Sequence, residues 1–152
     1  MSVSRDQGSR QILDQLGAAI DQLEFAVSAL GAAYELLTSA PADRLDSQLF
    51  RPIQRALGAA KRTESGFAAQ AGLPTRREGL GSPGLPSQGV KSFIETASAA
   101  ASEADRRIAQ LQDSMLPIEF GDPELRAGLG SIRETASIVP AAARSYLRTL
   151  GR

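Results

Sequence analysis

The sequence predicts an all-α protein, an antiparallel four-helix bundle made of two helical hairpins. Four segments repeat apolar residues at alternating spacings of three and four, which places them on one stripe of a helix. No segment alternates apolar and polar residues as a half-buried strand does. A chain of 152 residues is long enough to bury a core, and we expect residues 1–152 to form a single domain.

The first segment has the clearest repeat, and it predicts a helix from about Ser4 to Ser39 that Pro41 closes. Its flanking positions hold small residues where a two-stranded coiled coil usually carries charges. Small flanks favour a helix that packs closely against two neighbours. The repeat comprises Leu13, Leu16, Ile20, Leu23, Val27, Leu30, Tyr34 and Leu37.

The second helix is expected to start between Asp46 and Pro52 and to end at Gly72, just before Pro74. The first hairpin therefore spans 4–72. Residues 73–89 hold four glycines and three prolines, which predicts a flexible linker.

The second hairpin is predicted over 90–150. Its first helix is expected from about Gln88 to Leu116, with Ser87 as the N-cap. Asp122, followed by a proline and a glutamate, has the pattern of an N-cap for the last helix. Pro140 lies inside that helix and is expected to kink or break it.

Charge alternates along the chain although the formal net charge is zero. The segments 1–43 and 90–121 carry net −4 and −2, whereas 44–72 and 122–152 carry net +3 and +2. An up-down-up-down order would make all neighbouring helices opposite in charge. The pattern therefore favours that order, although each surface ion pair contributes only about 0–1 kcal/mol.

Several classes of chemistry lack the residues that they need. The chain has no His, Cys, Asn or Trp. A di-iron bundle site and a Ser–His nucleophile both require histidine. The glycines of 79–84 match a dinucleotide-binding pattern, but a helix rather than a strand precedes them, so we interpret them as linker glycines. We expect no metal, no cofactor and no catalytic activity.

The cellular location is predicted to be the cytoplasm. Residues 1–10 lack the apolar stretch of a signal peptide, and no apolar run reaches the roughly 20 residues of a membrane span. Fifteen of the 17 basic residues are arginine, which suggests a bacterial source.

A basic stripe is predicted on the second helix, at spacings of seven, four and seven. Contact with phosphate or an acidic partner is one interpretation. Pairing with acidic helices or plain solvation is the other, and the zero net charge and scarcity of aromatic residues favour it. We therefore expect no nucleic-acid partner. The stripe comprises Arg44, Arg51, Arg55 and Arg62.

A second apolar stripe on the outer face of the first helix predicts a protein partner or a homodimer. The alternative is that the linker folds over this stripe. Its members are Ala18, Phe25, Ala29, Ala32 and Leu36. The leading hypothesis is thus a non-catalytic helical interaction or scaffold protein.

An alternative function is a bundle that holds a small apolar ligand. Alanines in the middle of the predicted helices could leave a cavity instead of close-packed helices. They are Ala56, Ala60, Ala97, Ala101, Ala104 and Ala136.

Overall fold

The computed structural model describes residues 4–151, and in that range it is helical apart from its turns and one long connection. Residues 1–3 and 152, the ends of the predicted domain, lie outside the described residues. A π-helical turn (Asp46–Phe50) joins α2 to α3, and a 3₁₀ turn (Pro86–Gln88) precedes α4. The all-α class is confirmed. The helices are α1 (Arg5–Glu35), α2 (Ser39–Leu45), α3 (Arg51–Ala71), α4 (Gly89–Asp113), α5 (Leu116–Glu119), α6 (Pro123–Ala136) and α7 (Val139–Leu150).

Three of the predicted helix ends are confirmed by their capping geometry. The Ser4 hydroxyl accepts a hydrogen bond from the Gln7 amide at 3.1 Å, and the Gln7 side chain accepts one from the Ser4 amide. The Asp122 carboxylate accepts from the Leu125 amide at 2.7 Å. Gly72 ends α3 with φ of 68°, a left-handed conformation that favours glycine.

Other predicted boundaries are corrected by the positions of the prolines. The first helix ends at Glu35 instead of Ser39, and Pro41 lies in the first turn of α2, where its missing N–H breaks no hydrogen bond. Gln88, instead of the predicted Ser87, is the residue that precedes α4. This helix ends at Asp113 instead of Leu116.

Pro140 divides the fourth predicted helix in two, because α6 ends at Ala136 and the proline lies in the first turn of α7. The described chain thus has five helices of 12 residues or more, and the predicted count of four is not confirmed.

The core consists of two apolar clusters stacked along α1. The first joins the N-terminal half of α1 to α6, to the part of α3 from Ala56 to Ala68 and to the C-terminal half of α4. The second joins the C-terminal half of α1 to the π-helical turn, α7 and the N-terminal half of α4. This arrangement fixes the direction of every long helix. Both α3 and α4 run antiparallel to α1, whereas α6 and α7 run parallel to it.

The predicted up-down-up-down order is corrected to up-down-down-up. α1 packs against α3 and α4, and α6 packs against the same two helices from the other side. The connection 73–89 makes this order possible, since its 17 residues can reach about 56 Å when extended. That exceeds the length of α1, about 46 Å for 31 residues.

By length and composition, α1 is the one helix among the described residues that could cross a membrane. Its most apolar window of 18 residues has a mean hydropathy of 1.2, and half of that window is buried in the fold. The core helix of a folded protein has the same properties.

Tyr146 joins α7 to α2 through a partly buried hydrogen bond. Its side chain is 1% exposed, burial raises the pKa of its hydroxyl, and that hydroxyl donates to the Pro41 carbonyl at 2.7 Å. We expect Tyr146→Phe to lower the free energy of unfolding by about 1 kcal/mol, since the partly buried Pro41 carbonyl loses its donor. Tyr34→Phe, at a tyrosine that is 42% exposed, is the control and should change it by less than about 0.5 kcal/mol. Urea denaturation measures both, and equal effects would contradict the assigned bond.

Candidate functional site

The predicted partner stripe on α1 is largely covered in the structure. Ala29 is fully buried, and Ala18, Phe25 and Ala32 are half-buried. The Phe25 ring packs against the second core cluster. Only Leu36, just beyond the end of α1, is exposed, at 42%. The accessible part of the stripe is therefore its last member.

Residues 73–85 form a segment that we call the strap, and its first part, from Pro74 to Glu78, lies against the outer side of α1. The Arg10 guanidinium donates to the Pro74 carbonyl at 2.7 Å, and Arg76 pairs with Asp14 at 3.8 Å. The Arg76 carbonyl lies 2.9 Å from the point where a Cβ on Gly17 would sit. Because Gly17 has no Cβ, the strap backbone can lie directly against the helix surface at this position.

The strap also has to cross α1. It leaves the end of α3 and leads to the start of α4, and these two helices pack on α1 without packing extensively on each other. The strap's further contacts with α1 lie at Gly17, Ala18 and Glu24. The linker therefore meets the predicted stripe at Ala18, whereas Phe25, Ala29 and Ala32 are covered by the second core cluster. The predicted flexibility of the linker stays a prediction.

Glu64 of α3 is the most unusual polar residue beneath the strap. It is 3% exposed, and its Oε1 accepts from Arg77 of the strap at 3.3 Å. The other oxygen, Oε2, is buried without a hydrogen-bond partner. Burial raises the pKa of Glu64, as do the carboxylates of Asp21 and Glu24, while Arg77 and Lys61 oppose that rise.

Sequence reasoning missed Glu64, although one signal was present. It lies four residues after Ala60 and three before Phe67, on the buried side of α3. A charged residue at that spacing requires a partner when it is buried. The partner, Arg77, comes from the linker, which no helical repeat could have placed.

Large apolar side chains are exposed where α1 ends. Tyr34 and Leu36 are each 42% exposed, although α1 is otherwise the central helix of the core. The Tyr34 ring meets Phe50 of the π-helical turn edge to face, with ring centres 6.2 Å apart. We call Tyr34, Leu36 and Phe50 the α1 end patch.

The basic stripe is divided by the π-helical turn. Arg51, Arg55 and Arg62 are exposed on α3, and Arg51 pairs with Asp46 at 3.3 Å. Arg44 precedes the turn and is half-buried close to Tyr146. A π-helical turn adds a residue to the helical repeat, which rotates Arg44 away from the other three. For Arg51, Arg55 and Arg62, which remain together on α3, contact with phosphate and plain solvation both remain as interpretations.

The alanine-rich middle of the protein is buried. All six alanines of the predicted cavity are at most 1% exposed. Four clefts of about 480 to 650 Å³ lie at the surface of the described chain, and none of these four is lined by any of these alanines.

Residues 4–151 bring no three acidic side chains together in a way that could hold a metal ion. The chain matches no family model, and no curated protein and no solved structure shows significant similarity to it. A functional proposal for this chain therefore rests on the geometry of residues 4–151.

Proposed function

We propose that this protein is a non-catalytic helical scaffold that forms a homodimer through the α1 end patch. In this proposal, α6 and α7 act as one broken segment, which gives four segments that each pack antiparallel to their neighbours. The cytoplasmic location and the bacterial source stay predictions from the sequence.

One observation carries the proposal, which is the exposure of Tyr34 and Leu36 at the end of a helix that is otherwise buried. Aromatic residues are enriched at the centres of protein interfaces, and charged residues are depleted there. Tyr34 is also held by Phe50, so little side-chain entropy is lost when it is covered.

Two charges close in sequence to the patch suit a second copy of the chain as the partner. Within residues 4–151, Glu35 and Arg44 take part in no ion pair, and the Arg44 Nε is buried without a hydrogen-bond partner. A two-fold axis places the same patch of both copies face to face. Glu35 of one copy can then pair with Arg44 of the other.

The test is sedimentation velocity over a range of concentrations. We expect the wild-type chain to form dimers, and we expect Leu36→Asp to weaken the dimer by at least about tenfold, because it places a carboxylate in the apolar contact. Phe25→Asp is less informative, since it would charge a ring that packs on the core.

Leu85→Asp is the matched control. Leu85 lies in the strap and is 70% exposed, more than Leu36, so the same substitution there should leave the dimer unchanged. A wild-type monomer at all concentrations would refute the proposal, as would a dimer that both variants weaken equally. A stable complex with a different protein that Leu36→Asp abolishes would replace the homodimer by a heteromeric contact.

A further inference from the structure

A cleft of about 650 Å³ lies between the first turn of α4 and the end of α7. Leu147 and Leu150 form its apolar side, and both are half-buried against the second core cluster. Ligand sites for small molecules usually measure about 300–1,000 Å³. The cleft therefore has the size and the apolar wall that a small molecule with an alkyl chain requires.

The charged residues of the cleft are all cations. Lys91, Arg144 and Arg148 line it, together with the two leucines and Gly151, and none of these six residues is acidic. Among the described residues, Arg144 and Arg148 form no ion pair, and Lys91 has only a solvent-exposed contact with Glu95 at 3.8 Å.

The spacing of the two arginines is a second reason to expect an anion in the cleft. Arg144 and Arg148 are four residues apart on α7, so they lie on one face and repel each other. No side chain caps the start of α4, whose first-turn N–H groups are directed to the same end of the fold as Lys91. An anion between these groups would offset the repulsion.

We propose that this cleft binds a single-chain anionic amphiphile, with its alkyl chain against Leu147 and Leu150 and its carboxylate between Arg144 and Arg148. The combination of an apolar wall with unpaired cations selects this class over neutral lipids and over small inorganic anions. The cleft shares no lining residue with the α1 end patch, so the two proposals can be tested independently.

Isothermal titration calorimetry with dodecanoate, below its micellar concentration, tests the proposal on the full chain. We expect saturable binding of about one dodecanoate per chain. The double substitution Arg144→Gln and Arg148→Gln should weaken it by at least about tenfold, since two charge-assisted contacts are lost. Dodecanol, which has the same chain without the charge, and acetate, which has the charge without the chain, should both bind much more weakly.

The matched control is the pair Arg55→Gln and Arg62→Gln, which removes the same charge from the exposed face of α3. We expect its dodecanoate affinity to stay within about twofold of the wild type. The proposal is overturned if dodecanoate does not bind, if both double variants bind it equally, or if dodecanol binds as tightly. Binding to vesicles of anionic phospholipid without binding of free dodecanoate would also overturn it, in favour of a membrane surface.

Discussion

Replacing Gly128 by alanine is expected to lower the free energy of unfolding by about 1–3 kcal/mol. Gly128 lies where α6 crosses α3, and a Cβ there would sit 2.8 Å from Cγ2 and 3.1 Å from Cβ of Thr63, and would also overlap Oγ1. Rotation of Thr63 cannot relieve the clash, because three of its atoms are involved. Its hydroxyl also donates to the Ala59 carbonyl at 2.7 Å. The two helices would therefore have to separate.

Gly130→Ala, two residues along the same helix, is the control for this prediction. A Cβ at Gly130 would meet nothing within 4 Å. Alanine should stabilise the helix there by about 0.5–1 kcal/mol, since it has the higher helix propensity. Urea denaturation of both variants gives the comparison. If Gly128→Ala is neutral or stabilising, the close approach of α3 and α6 is wrong.

Local features of this fold were predictable from the sequence, because each depends on a few neighbouring residues. Ser4, Asp122 and Gly72 mark helix ends through hydrogen bonds or conformations that act within five residues. Pro140 breaks its helix for an equally local reason. The predicted roles of Pro41 and Ser87 were wrong, because the neighbouring residues allow a proline or an N-cap at more than one position of a helix end.

The direction of the helices was not predictable, because it depends on packing between distant segments. The charge pattern favoured neighbours of opposite sign, yet α1 packs against α4, and both lie in acidic segments. Surface charges are weak and screened. Close packing of small residues outweighs them here, since both helices are lined by fully or nearly fully buried alanines. These are Ala19, Ala26 and Ala33 of α1, and Ala97, Ala101 and Ala104 of α4.

The candidate sites were predictable only in part for the same reason. The stripe on α1 was visible in the sequence, but the burial of Ala29 follows from its packing in the second core cluster, which joins distant segments. Leu36 stays accessible because it lies beyond the last helical turn. The cleft between α4 and α7 brings Lys91 to Arg144, which are 53 residues apart, and no pattern in the sequence connects them.

Replacing Arg77 by methionine is expected to cost about 1–3 kcal/mol at pH 7, because Glu64 then stays buried without its cation. Methionine retains part of the aliphatic packing, so the change isolates the charge. Arg77 is 34% exposed, which places the expected loss below the range for a fully buried pair. Arg76→Met is the matched control. Its pair with Asp14 is exposed on both sides, and its loss should cost at most about 1 kcal/mol.

The pH dependence separates this explanation from a merely structural effect. Burial raises the pKa of Glu64 in the folded protein above its usual 4.5, so between those two values the folded state binds more protons than the unfolded state. The contribution of Glu64 to stability is therefore full below the unfolded pKa and declines as the pH rises through the folded pKa. Glu64→Gln does not titrate, so its stability relative to the wild type should increase with pH across that window.

Arg77→Met should make this dependence steeper, since Arg77 is the main group that opposes the raised pKa of Glu64. Its destabilisation should thus be small at about pH 4.5 and grow towards pH 7. The double variant Glu64→Gln and Arg77→Met should lose most of the extra slope, because no buried carboxylate remains. Urea denaturation at several pH values gives all four curves. A constant cost of Arg77→Met across this range would mean that the arginine acts by holding the strap in place, and that its charge does not stabilise Glu64.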